Sequence, residues 1–181
     1  LLESLERGIE AYETASGKPD DADYRSYIAL NALGLRATEL GPEPAPPSQR
    51  QAWLAQVRLC RERAHTGFRS MPDFWNAVMP ADSAVVESII VGDLAAAGQA
   101  GEETLQRLKD DYGEALSSVR GTPRELDSVV KQLDLLSLFL KVKSVLAASR
   151  TDATATARLS KRLARLANHL CPGSCRLDDD E

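Results

Sequence analysis

The sequence predicts an all-α fold built from helical-hairpin repeats, with seven or eight helices. The chain resembles itself at an offset of 100 residues, it combines 43% apolar residues with only 5% aromatic ones, and no segment alternates apolar and polar residues as a strand would. Because one helical hairpin cannot bury its apolar face alone, repeated hairpins are expected to stack into a continuous core. The matched positions are Leu5, Tyr12, Ala15, Leu30, Leu33, Leu35 and Leu40, which pair with Leu105, Tyr112, Ala115, Val130, Leu133, Leu135 and Leu140.

The first three helices are predicted at residues 1–16, 23–40 and 49–67. In the first, apolar residues recur at the spacing of an amphipathic helix, and glutamates form a neighbouring stripe. The second helix is apolar nearly all round, which predicts that it is buried. Ser48 and Gln51 have the spacing of a capping box, so Ser48 is expected to cap the third helix.

Four further segments are predicted to be helical. Residues 74–79 form a short helical piece, and Pro80 is expected to start or kink the segment that follows it. The fifth helix is predicted at 102–119 and the seventh at 152–170. The sixth opens at Thr122 with a capping hydroxyl and a carboxylate three residues later. Residues 126–146 are so apolar that we expect this sixth helix to be the central buried element.

Charge is distributed unevenly along the chain. The net charge of −5 argues against general nucleic-acid binding, which depends on neutralising many phosphates. Residues 1–25 hold seven acids against three bases, whereas residues 150–170 hold five bases against one acid. The two ends of the chain are therefore expected to differ in electrostatic character.

The domain organisation and location follow from chain-wide features. We expect one α-helical domain over 1–170 and a flexible acidic tail over 171–181, within a longer protein, because the chain opens on Leu. Apolar runs fall short of the roughly 18 residues that a membrane span needs, so no membrane partner is expected. Three cysteines do not make a disulfide framework, which favours a cytoplasmic location.

Several segments together resemble a known family. Predicted helix starts recur about every fifty residues, as in long helical repeats. The segments AYETA, DYRSYIALNALGLRATELG, DFWNAVMPADSAVVESIIVGDL and DDYGEALSSVRGTPRELDSVVKQLDLL resemble the divergent tetratricopeptide-like domain called the TRAF-binding region of stress-activated mitogen-activated kinase kinase kinases, and its relatives in bacterial signalling and conflict proteins. The resemblance covers residues 1 to about 146. It implies a right-handed solenoid that holds a partner protein or gates an adjacent effector domain.

Two surfaces are candidates for binding that partner. By analogy with the concave face of the resembled family, the first lies on the even-numbered helices and includes Tyr24, Asn31, Trp75 and Asp82. Asn31 is expected to be a buried polar group that needs hydrogen-bond partners. Trp75, like Trp53 and Phe74, is most simply explained by core or inter-repeat packing, although aromatic residues near a concave face would also anchor a bound peptide.

The second candidate surface is a basic stripe on the seventh helix. Leucines on one side of this helix are expected to dock it, so that the bases face solvent. The stripe is interpreted either as a solvated face or as a docking site for an acidic partner, including the chain's own DDDE tail. Its partner-binding residues are Arg158, Arg162 and Arg165, beside Lys161.

The sequence contains no catalytic signature, so we predict a non-enzymatic protein without a cofactor. The segment GDLAAAGQAG lacks the Gly-Lys-Ser/Thr ending of a phosphate loop and is expected to be an ordinary loop. No Gly-x-Ser-x-Gly nucleophile motif is present. A helical-bundle enzyme or metal protein, and an anionic-surface or nucleic-acid binder acting through the last helix, are the alternatives.

Two groups of residues keep the metal alternative open. Glu62 and His65 form a Glu-x-x-His pair, but a di-iron site needs a second such pair and further carboxylates. His169, Cys171 and Cys175 form one local group of zinc-ligating types, which Asp178 would complete. We favour a solvated helix face for the first group and a frayed terminus for the second.

Overall fold

The computed structural model of the chain confirms an all-α fold. It describes residues 2–19, 24–40, 46–147 and 150–171, and these ranges contain no strand. The described residues form α1 (Leu2–Ser16), α2 (Ser26–Leu40), α3 (Pro47–Ser70), α4 (Phe74–Val91), a 3-10 turn (Asp93–Ala95), α5 (Gln99–Ser118), α6 (Pro123–Leu146) and α7 (Arg150–Leu170). One cluster of buried apolar side chains includes residues from all seven helices.

Helix α4 runs through Pro80 without interruption. The interpretation that Pro80 starts a separate helix is therefore wrong. A proline inside a helix costs about 3 kcal/mol. Full burial of a Val or Ile side chain stabilises by about 1.5 to 3 kcal/mol, and Val78, Val85 and Ile89 on both sides of the proline are all buried. Packing thus outweighs the local preference.

The two predicted capping boxes have different outcomes. The box at Thr122 is confirmed: its hydroxyl accepts from the Glu125 backbone N–H at 3.3 Å, and the Glu125 carboxylate accepts from the Thr122 N–H at 2.7 Å. The box at Ser48 is wrong, because α3 already begins at Pro47 and no side chain caps it. Proline suits this first position, since its fixed φ is helical and the missing N–H has no helical partner there.

The central helix of the packing is α4 rather than α6. Helix α4 packs against α2, α3 and α5. Helix α6 packs against α7 and α2, and it buries Leu133 while Leu138 stays 57% exposed and Val145 80% exposed. The expectation that α6 is the central element is therefore wrong, because its neighbours cover only part of its apolar circumference.

The helices do not pack throughout as consecutive hairpins. Helix α1 packs against α2, and α3 packs against α4. The most extensive contact joins α6 to α7. Helix α5 packs on α4, the 3-10 turn and α7, with little contact to α6. Helices α2 and α6, which the internal similarity relates, touch directly. Beyond α4 the packing order differs from a linear stack of hairpins.

Two predictions concern the chain as a whole: that it has no membrane span and that it ends in an acidic tail. No helix within the described ranges has both the length and the apolar character that crossing a membrane requires. The predicted acidic tail falls outside the described residues except for Cys171, which is half-buried.

Candidate functional site

A large groove lies between α3, α4 and α5. Its volume is about 810 Å³. Helices α3 and α5 both pack on α4 but have no extensive contact with each other, so α4 forms the floor and the other two helices form the walls. The turn after α4 contributes Asp93 at one end of the groove.

Small side chains form the floor of the groove. They recur at helical spacing on one face of α4; Ala77, Ala81 and Ser88 are themselves buried by the neighbouring helices, whereas Pro80 and Ala84 are half-buried. Because the distance between packed helices depends on the side chains at the contact, a floor of small residues allows close approach of another chain segment. The floor residues are Ala77, Pro80, Ala81, Ala84 and Ser88.

The walls of the groove carry more negative than positive charge. The lining contains four carboxylates and two arginines. Both arginines already have partners: Arg61 Nη2 lies 2.5 Å from Glu87 Oε2, and Arg107 Nη2 donates to Ser88 Oγ at 3.3 Å. The remaining carboxylates are those of Asp93, Asp111 and Glu114.

These acidic side chains differ in their surroundings. Asp93 and Glu114 are exposed and have no side-chain hydrogen bond or ion pair within the described part of the chain. Asp111 is half-buried, and this burial raises the pKa of its carboxyl above the usual value. The groove is thus an acid-lined channel with a floor of small side chains.

Two arginines of the basic stripe on α7 are turned inward, against expectation. Arg162 is only 5% exposed, and its Nη1 donates to the carbonyl oxygens of Leu94 at 2.8 Å and Ala96 at 2.6 Å. Arg158 Nε donates to the Ala95 carbonyl at 3.2 Å. The turn after α4 exposes carbonyls that lack helical N–H partners, and the arginines satisfy them.

Glu102 joins the same arginines to the first turn of α5. Its carboxylate accepts from Arg162 Nε at 3.1 Å and from Arg165 Nη1 at 2.8 Å. These hydrogen bonds hold the pKa of Glu102 below its usual value. Arg165 and the neighbouring Lys161 of the stripe are exposed. Residues 92–98 of the segment GDLAAAGQAG form a turn and loop, as predicted, but its last three residues already belong to α5, which begins at Gln99 rather than at 102. The contacts of this loop with α7 were not predicted.

The four residues proposed on the even-numbered helices do not form one open surface. Tyr24 is 7% exposed; its hydroxyl accepts from Gln56 Nε2 at 3.1 Å, and the Arg63 guanidinium lies 4.8 Å from its ring centre. Trp75 is half-buried and packs on Tyr27, with ring centres 4.7 Å apart. Tyr24 and Trp75 therefore serve packing between helices.

Asn31 and Asp82 do meet, around a small cavity between α2, α4, α5 and α6. Asn31 is half-buried rather than buried. The cavity measures about 20 Å³, and its lining includes Tyr112 and Gln132. A space of this size holds one water molecule.

The Asp82 carboxyl has an unusual environment. The Tyr112 hydroxyl donates to its Oδ1, while its Oδ2 is buried and has no hydrogen-bond partner within the described residues. The other side chains that line the cavity are uncharged. Burial without a counter-charge raises the pKa of Asp82 to about 7. Burial also raises the pKa of Tyr112 well above its usual value, and the nearby Asp82 adds to the effect.

The candidate metal ligands are not assembled in the described residues. Glu62 and His65 lie exposed on α3, and His169 is exposed on α7. Cys175 and Asp178 lie outside the described residues. Within those residues, no group of three or more His, Cys, Asp or Glu side chains is placed to hold a metal ion.

Comparison with known families, curated proteins and solved structures gives no match to this chain. The resemblance to tetratricopeptide-like domains stays a prediction.

Sequence reasoning missed the groove between α3, α4 and α5. The feature of the sequence that could have predicted this groove is the helical spacing of small residues in α4, which is otherwise rich in Val and Ile. Such spacing indicates a helix face that another helix or segment approaches.

Proposed function

We propose that this protein is a non-enzymatic interaction module that binds a segment of another protein in the groove between α3, α4 and α5. The observation that carries the proposal is the acid-lined groove of about 810 Å³, whose floor consists of small side chains. Grooves between helices that present apolar floors and polar rims are a recurring mode of peptide recognition.

The dimensions of the groove suit a polypeptide segment. The α4 residues that line it extend from Asn76 to Val91. At 1.5 Å per residue this is about 20 Å, the length of roughly four helical turns. Phe68 on the α3 wall is half-buried beside the floor and provides an aromatic contact of the kind that often anchors partners.

The biological role is inferred from the resemblance. Domains of the resembled family hold a partner protein or gate a neighbouring effector domain within larger cytosolic signalling or defence proteins. A groove that is already shaped in the free chain supports the same role here, because a preformed site avoids the entropy of ordering a binding surface.

Replacing Ala84 by Arg tests this function. The arginine places a long charged side chain on the groove floor, so we expect the partners recovered from a native lysate of the source cells to be lost. Ala55→Arg adds the same side chain at an exposed position of α3 outside the groove and should retain them. Recovery of the same partners with both variants, each shown to be folded by circular dichroism, would contradict the proposal.

A further inference from the structure

The charges around the groove restrict what can bind there. Asp111 and Glu114 stand three residues apart on the α5 wall, and Asp93 stands at the end of the groove. Of the two arginines in the lining, Arg61 is paired with Glu87, whereas Arg107 donates to the neutral Ser88 hydroxyl and its charge acts on Asp111. Four carboxylates against these two arginines leave the lining with a formal excess of two negative charges, which favours positive charge on the occupant at the α5 side and at the Asp93 end.

The backbone of the groove restricts the conformation of the occupant. Extended peptides bind either by adding to the edge of a sheet, where their N–H and C=O groups find partners, or as proline-rich segments in grooves lined by several aromatic residues. Phe68 is the one Phe, Tyr or Trp residue among the described residues that line this groove. The described residues offer helices and no strand edge. A helical segment satisfies its own backbone hydrogen bonds and can pack its side chains on a floor of small residues.

We infer that the groove binds an α-helical segment of a partner protein whose small or apolar face is flanked by lysine or arginine residues. This inference rests on the proposed function and adds the chemistry of the partner. The apolar face packs along the groove floor over the half-buried Pro80 and Ala84, and the basic residues pair with Asp93 and with the carboxylates of the α5 wall. Because the charges lie at the rim, they contribute to association rate and to discrimination between partners.

A displayed library of 16-residue helical peptides, randomised at their surface positions, tests this inference on the purified full chain. Peptides that bind the wild-type protein and not Ala84→Arg report on the groove. We expect Lys and Arg to be enriched over Asp and Glu on one flank of these peptides. Their affinity should fall as salt is raised, since exposed charges are screened over about 10 Å at 0.1 M salt.

Charge reversal then locates the interaction. Asp93→Lys combined with Glu114→Lys should weaken the selected peptides by about tenfold or more, which corresponds to 1.4 kcal/mol. Glu6→Lys combined with Glu10→Lys changes the net charge equally on the exposed face of α1 and should leave the affinity within about twofold. Circular dichroism of both variants controls for folding.

The outcomes separate the two proposals. Selected peptides that Ala84→Arg blocks but that are acidic, or indifferent to the reversal in the groove, would overturn the inference and leave the proposed function standing. Peptides that bind equally to Ala84→Arg would count against both. Failure to select any helical peptide would also overturn the inference, while the lysate experiment with Ala84→Arg would still decide the proposed function.

Discussion

The protonation of the Asp82 carboxyl depends on the side chains that the surrounding helices place around it. An ordinary aspartate is ionised at neutral pH, yet here Tyr27 and Asn31 of α2, Tyr112 of α5 and Gln132 of α6 surround the carboxyl without providing a positive charge. Its Oδ2 has no hydrogen-bond partner within the described residues. The folded state therefore stabilises the protonated acid relative to the ionised form, because burial removes water from the charge and no counter-charge replaces it.

This environment predicts the direction of a pH effect on stability. Because folding raises the pKa of Asp82 from 3.8 to about 7, its contribution is fully present below about pH 4 and is lost as the pH rises towards 7. The loss approaches about 1.4 kcal/mol per pH unit within that window. Asp82→Asn should remove this slope and be more stable than the wild type at pH 8.

Denaturant unfolding between pH 5 and pH 8 measures the effect as the difference between wild type and variant. Asp110→Asn, on the exposed face of α5, is the matched control and should keep the wild-type slope. An Asp82→Asn variant with the wild-type slope would show that the carboxyl is ionised throughout.

Two glycines of α5 make a second residue-scale comparison. A Cβ atom at Gly101 would lie 2.1 Å from Arg162 Nη1 and 2.4 Å from the Ala96 carbonyl oxygen, whereas one at Gly113 would have no neighbour within 4 Å. Gly101→Ala should therefore destabilise the fold by about 1 to 3 kcal/mol through overpacking. Gly113→Ala should stabilise it by about 0.4 to 1 kcal/mol. Equal changes in melting temperature for the two would contradict the packing of the loop around Arg162.

At the scale of elements, the sequence pattern of α6 predicts where the helix starts but not how much of it is buried. Its start was predictable, because the capping box involves only residues within one turn of Thr122. Its burial was not, because an apolar circumference does not say which neighbours will cover it. The same limit applies to α7, where the spacing of the arginines gave no sign that loop carbonyls would bind Arg162.

Two leucines of α6 test its placement. Leu133 is 3% exposed and Leu138 is 57% exposed. Leu133→Ala should cost about 2 to 5 kcal/mol of unfolding free energy, as for other packed core leucines. Leu138→Ala should change it by no more than about 0.5 kcal/mol, as for surface positions. Comparable losses from the two in urea unfolding would mean that another chain segment or a second molecule covers the outer face of α6.

At the scale of the whole molecule, the all-α class and the helix count followed from periodicity, composition and turn residues, which are local signals. The order of packing beyond α4 and the groove did not, because both depend on contacts between distant helices. Of the residues predicted to bind a partner, Tyr24 and Arg162 are buried. Tyrosine and arginine have polar ends on largely apolar or long side chains, so their pattern alone does not distinguish an internal contact from an exposed one.

The central claim is that the groove between α3, α4 and α5 is the partner-binding site. The most direct measurement is the dissociation constant of a purified partner, first captured with the wild-type chain, for wild type, Ala84→Arg and Ala55→Arg by isothermal titration. We predict that Ala84→Arg weakens binding by about a hundredfold or more, as expected for the centre of an interface, and that Ala55→Arg stays within about twofold. Equal dissociation constants for the three proteins would contradict the claim.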